Sequence, residues 1–145
     1  MIKRFRNDRR GDVWAFTSIA ILFIILPLAS LTVDVVRGMY VRTHLQAAAD
    51  AACQAAANAL DVPTFRSTGK QQINQGLGRS QAAGVFSSSL ADASKVEFSP
   101  SLAVGFTGPT TARCRATATL VHLIPLTPPM TAVVQTTSQM RVVQR

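Results

Sequence analysis

Charge is scarce in this sequence, and so are aromatic rings. Only 15% of the 145 residues are charged, against roughly 25% in an ordinary soluble domain, and aromatics make up 6%. Yet 48% are apolar, which excludes intrinsic disorder, where low hydrophobicity goes with high charge. One tryptophan (Trp14) and one tyrosine (Tyr40) provide no aromatic platforms interleaved with basic residues, so nucleic-acid binding is excluded despite a net charge of +8. Histidine occurs twice, at His44 and His122, and the seven carboxylates show no paired spacing suited to acid–base work. The HExxH, Gly-x-Ser-x-Gly, Walker and CxxC patterns are all missing. No catalytic, cofactor or metal site is expected, and the chain reads as a non-enzyme.

What charge there is sits at telling places. Lys3, Arg4, Arg6, Arg9 and Arg10 crowd the first ten positions, opposed there only by Asp8. From Val13 to Val33 no residue is charged, and Trp14, Phe16, Ile19, Leu22, Phe23, Ile25 and Leu28 set the character. About 20 such residues span a bilayer's hydrocarbon core as a helix. The run exceeds the 7–15-residue apolar region of a cleaved signal peptide, so a retained signal anchor is expected. The basic bias places the N-terminus in the cytoplasm and exports the residues beyond the apolar run. The basic cluster can also meet anionic lipid. Pro27 removes one backbone donor and should kink the helix.

The helical pattern continues beyond that run. From Asp34 to Leu60 there is no proline, one glycine (Gly38), and alanine at 47–49, 51–52, 55–57 and 59. Alanine is the strongest helix former, and Val41, Leu45, Ala48, Ala52, Ala56 and Ala59 share one face. Asp61-Val62-Pro63 is expected to end the helix.

Here the residues resemble a known family. Leu31-Thr32-Val33-Asp34-Val35-Val36-Arg37-Gly38-Met39-Tyr40, followed by Leu45-Gln46-Ala47-Ala48-Ala49-Asp50-Ala51-Ala52, is similar to the N-terminal region of TadE/TadG-like proteins of tight-adherence (Flp-type) pilus systems. The resemblance covers about residues 9–60. It marks Asp34, Arg37, Leu45, Gln46 and Asp50 as motif residues and Gly11, after Arg10, as a candidate processing site. Prepilins cut at such a glycine carry Glu five positions on, whereas this chain has Phe16 there and no Glu before Glu97. The departure argues against cleavage at Gly11 and against entry into a filament by charge pairing. The resemblance is closer to the TadG-like branch than to the TadE-like one.

Residues 64–145 read as a small head. Ser67 to Leu90 is weakly helical, with Ile73, Leu77, Phe86 and Leu90 on related faces and Gly76, Gly78 and Gly84 working against it. Val96 and Phe98 then alternate with polar neighbours before Ser-Pro and glycine punctuation. Ala112 to Val121 alternates small apolar and polar residues, the period of a half-buried strand. Leu126 to Pro129 must turn, and Thr131 to Val143 is strand-like. Arg113 and Arg115 share one strand face, either solvated or guarding an edge. The expected fold is α+β: a long N-terminal transmembrane helix continuing into a pilin-like head of helix plus three or four antiparallel strands. By residue number this gives a cytoplasmic basic segment (1–12), a transmembrane helix (13–36), an Ala-rich extramembrane helix (37–62) and an exported α+β head (63–145).

Cys53 on the long helix and Cys114 on the strand expected to pack against it are the two cysteines, both on the oxidising side of the membrane. A disulfide between them would close a loop of about sixty residues and stabilise by up to about 4 kcal/mol. Two buried free thiols, or a bond between subunits, are the alternatives.

The resemblance implies a membrane-anchored, minor-pilin-like structural or assembly protein of a tight-adherence pilus or secretion system. Its expected place is the inner membrane, with the head on the periplasmic or extracellular side. Membrane lipid, other pilus or secretion components and further copies of the chain are the expected partners. The competing readings are a filament subunit packed through its apolar helix and a membrane-tethered module that binds surface polymer.

Overall fold

The computed structural model describes residues 9–91, 98–120 and 129–141. The chain divides into two units, Met1–Val36 and Arg37–Arg145. Helix α1 (Arg9–Ala57) supplies the first unit and opens the second. It is followed by α2 (Val62–Thr68), α3 (Gln75–Leu90), β1 (Phe98–Phe106), β2 (Thr111–Leu120) and β3 (Met130–Gln139). The fold is α+β, with one antiparallel sheet in the order β1-β2-β3.

In the first unit α1 is exposed nearly all round. Trp14 and Phe16 are 74% and 76% exposed, and Ile19, Phe23, Ile24, Leu26, Leu28 and Leu31 also lie open. An 18-residue window here has a mean hydropathy of 2.5, and none of it is buried within the chain. The few polar side chains bond locally. The hydroxyls of Thr17, Ser18 and Thr32 donate to the carbonyls of Val13, Trp14 and Leu28, at 2.7, 2.9 and 2.9 Å. Such bonds leave no hydroxyl proton needing water, as an apolar solvent would require. The helix runs on through Pro27, which withholds the usual N–H from the Phe23 carbonyl.

In the second unit the apolar surface of α1 narrows to one face. Val41, Leu45, Ala48, Ala49, Ala52, Cys53, Ala56 and Ala57 are buried, at the three- and four-residue spacing of one helical side. They form a core with Ala112, Cys114, Ala116, Ala118 and Leu120 of β2 and Val134 of β3. These β2 positions are every second residue, so the alternation expected for this strand is what buries it. Phe86 and Leu90 of α3 join the same core, with Phe98, Leu102, Val104 and Phe106 of β1 packed at its margin.

Several boundaries differ from those read in the sequence. Helix α1 ends at Ala57 rather than Leu60. The chain then turns so that Leu60 bridges Ile73, with the Asp61 N–H on the Gln72 carbonyl and the Asn74 N–H on the Ala59 carbonyl, both at 2.8 Å. Asp61-Val62-Pro63 does not merely stop a helix; it starts α2. Proline suits a first turn because its missing N–H has no intrahelical partner there, and the Thr64 hydroxyl donates to Asp61 at 2.7 Å. The weak helix expected over Ser67 to Leu90 is two helices. Gly69 closes α2 in the left-handed conformation (φ 67°), with its N–H on the Phe65 carbonyl. Asn74 opens α3, its side chain accepting from the Leu77 N–H at 3.1 Å.

Ser99 and Pro100 do not punctuate the chain after a short strand, because β1 runs through them to Phe106. Pro100 opposes Ala118, and β1 is an edge strand, where a residue with no N–H to donate is tolerated. The edge option for Arg113 and Arg115 does not hold, because β2 is the central strand. Both arginines lie on its solvated face, and Arg113 donates to Gln135 at 3.1 Å. Strand β3 ends at Gln139. Val96, His122, the Leu126 to Pro128 part of the turn and Val143 lie outside the described residues.

Gly78 shows how close the packing is. A Cβ placed there would sit 3.0 Å from the Ala56 carbonyl and 3.2 Å from the Phe106 ring, whereas one at Gly84 would meet nothing within 4 Å. Gly78→Ala should therefore lower the melting temperature by several degrees, since overpacking against backbone costs about 1–3 kcal/mol and outweighs the helix-propensity gain of about 1. Gly84→Ala should raise it by a few degrees. Thermal unfolding of both variants checks the pair, and a stabilising Gly78→Ala would mean that α1 and α3 are not in close contact.

Candidate functional site: the outward face of helix α1 and the buried thiol pair

The residues singled out in the sequence separate into three groups. Leu45 is fully buried and belongs to the core. Gln46 and Asp50 point the other way, exposed on the opposite side of the helix. They are one turn apart, and the Gln46 amide donates to both Asp50 carboxylate oxygens at 3.2 Å. With Arg42, Thr43 and Ala47 they line a shallow depression. Arg42, four residues before Gln46, completes a polar row on one helical side. That spacing was available in the sequence and would have identified Arg42, which the motif alone did not.

Asp34 and Arg37 stand on α1 with their side chains half-buried. Gly11 lies within α1. His44 is half-buried beside Tyr40, the ring centroids 4.2 Å apart and the planes inclined at 50°. Among the described residues no three His, Cys, Asp or Glu side chains gather as a metal site would require.

Cys53 and Cys114 come together in the core as free thiols, each with 0% exposure. The Cys53 thiol lies 3.5 Å from the Ala112 carbonyl and 3.7 Å from that of Thr136. Thr136 is the residue on β3 directly opposite Cys114. Burial raises the pKa of the Cys114 thiol, and the neighbouring Cys53 raises it further through its hydrogen bond and charge.

Fold and site together define a class: a small α+β head whose core is the alanine-rich face of a long helix that begins in an exposed apolar stretch. Residues 14–59, about a third of the chain, match the family model Tad, described as Flp pilus-assembly TadE/G-like. The matched segment is α1 from Trp14 onward and the two residues after it, so the similarity lies in this helix. No curated protein and no solved structure matches the chain.

The raised thiol pKa has a definite sign. Where the folded pKa lies above the unfolded one, the unfolded chain loses its proton first as pH rises. In the reduced protein Cys114 therefore costs no stability below its ordinary value of 9.0 and makes the fold progressively less stable above it. Melting temperatures measured between pH 8 and pH 10.5 should fall more steeply for the reduced protein than for Cys114→Ala. Parallel curves would remove the thiol as the cause.

Proposed function

We propose that this protein is a membrane-anchored, minor-pilin-like component of a tight-adherence (Flp-type) pilus assembly, with a structural rather than a catalytic role. The observation that carries the reading is the TadE/G-like match over α1. In this reading the uncharged stretch from Val13 to Val33 crosses the inner membrane, and the basic residues before it stay in the cytoplasm. The head then stands on the periplasmic or extracellular side.

The outward polar row on α1 is the surface offered to other pilus components. Leu45, Ala48, Ala49 and Ala52 are accounted for by the head's own core, but Gln46 and Asp50 contribute nothing to it. Their exposed pair, with methyl-sized Ala47 between them, suits a partner that comes close to the helix backbone. Such contacts are short and polar, and they leave the protein's own stability untouched.

Replacing both Gln46 and Asp50 by lysine should abolish surface piliation while shifting the melting temperature by no more than exposed substitutions usually do, about 0.5 kcal/mol in stability. Piliation that persists in the double variant would withdraw the outward row as the partner surface. Ser87→Cys, on an exposed part of α3, should react with a membrane-impermeant maleimide in intact spheroplasts. Labelling only after lysis would overturn the exported head. The intact mass of native protein should retain Met1, and a mass beginning at Asp12 would replace the assembly reading by that of a processed filament subunit.

A further inference from the structure

We propose that Cys53 and Cys114 form an intramolecular disulfide that staples α1 to the central strand of the sheet. The inference rests on the exported-head reading for its oxidising compartment, but its geometry is independent of it. Cys53 lies on the buried face of α1 and Cys114 at an inward position of β2, both fully buried in one core. The Cys53 thiol is located by two carbonyls that bracket Cys114. One is Ala112, two residues earlier on the same strand, and the other is Thr136, directly across on β3. Cys53 is near enough to Cys114 to raise the pKa of its thiol.

Composition supports a cross-link over mere filling. Around this point the helix offers Ala48, Ala49, Ala52, Ala56 and Ala57, and β2 offers Ala112, Ala116 and Ala118. Apart from Val41 and Leu45 toward one end of the helix face and Leu120 at the end of β2, the contact between α1 and β2 is methyl against methyl except at the two cysteines of the whole chain. A core of such small groups gains little from each side chain it buries, so a covalent closure of about sixty residues weighs heavily in its stability.

The chemistry is disulfide exchange. A thiolate of one cysteine attacks a dithiol–disulfide oxidant, forming a mixed disulfide, and the second cysteine displaces the oxidant's thiol. One sulfur–sulfur bond forms in the chain, the oxidant's own breaks, and the two protons and two electrons of the cysteines end on the oxidant as its reduced dithiol. Both sulfurs are inaccessible in the folded head, so the bond closes before or during docking of β2 on α1. Once closed it resists reductants for the same reason.

The test uses the full chain, quenched with acid in cells, denatured without reductant, alkylated with iodoacetamide and weighed. The expected species is monomeric, two hydrogens lighter than the dithiol and free of adducts, and it takes up two adducts after reduction. Its melting temperature should fall by more than about 10 °C on reduction. Two adducts before reduction, in protein whose head labels as exported through Ser87→Cys, overturn the bond and leave the exported head standing. A bond found between two chains overturns it as well. If the head proves cytoplasmic, the exported reading fails by itself, and refolding the reduced chain in oxidised glutathione decides the pair. Closure to the lighter monomer then supports the proposal, and glutathione adducts or free thiols overturn it.

Discussion

Everything in the head depends on a close contact between methyl-sized side chains. The alanines of α1 meet alanines of β2, with a cysteine on each side, and none of these groups projects far enough to hold helix and sheet apart. The contact owes its strength to breadth and nearness, because each methyl removes little area from water. Its consequences appear wherever backbone becomes reachable. The Cys53 sulfur lies within 3.5 Å of a strand carbonyl, and Gly78 lets α3 approach the Ala56 carbonyl. The larger apolar side chains, Val41 and Leu45 of α1, Leu120 of β2, Phe86 and Leu90 of α3 and Phe98, Leu102 and Phe106 of β1, surround this contact. They exclude water from a centre too thin to do so alone.

One helix serves two environments, and its sequence changes accordingly. Between Val13 and Val33 apolar residues occupy every face and charge is absent. That composition suits a surrounding that is apolar on all sides. From Val41 onward the apolar residues keep to one face, and exposed Arg42, Thr43, Gln46 and Asp50 take the other, as expected with a sheet on one side and water on the other. The hydroxyls of the apolar stretch bond their own helix, whereas Gln46 and Asp50 bond each other. The first arrangement hides polarity, and the second displays it.

How much of this could be read from residues alone depended on whether the determining interaction was local. The strand at Ala112 to Leu120 was plain, because alternation is a property of neighbours in sequence, and so was the long helix, because alanine's propensity is intrinsic. Pro100 misled because its acceptability is decided by β1's place at the sheet edge, which a sequence does not display. Asp61-Val62-Pro63 misled because the same residues that end one helix can open the next. Gly69 and Asn74 are ordinary cap residues, but the pairing of Leu60 with Ile73 that separates α2 from α3 is a long-range bridge. At the candidate site, the motif block marked Leu45, Gln46 and Asp50 together, and only burial divided the one that builds the head from the two that do not.

That division bears on what the matched segment means. A match confined to 14–59 covers the exposed apolar stretch, the face of α1 that holds the sheet, and the outward row, and it stops short of the sheet itself. Leu45, Ala48, Ala49 and Ala52 have a sufficient cause inside this chain, since any larger or polar replacement would separate helix from strand. The apolar stretch has a sufficient cause in the solvent it prefers. Gln46 and Asp50 have neither, because an exposed hydrogen-bonded pair one turn apart contributes only about 0.2–0.5 kcal/mol to a helix that alanine already stabilises. In the proposed assembly role they are the residues left for a partner against the outward face of α1. A partner there would meet a carboxylate already held in place by an amide four residues earlier, with a methyl group beside it that allows close approach.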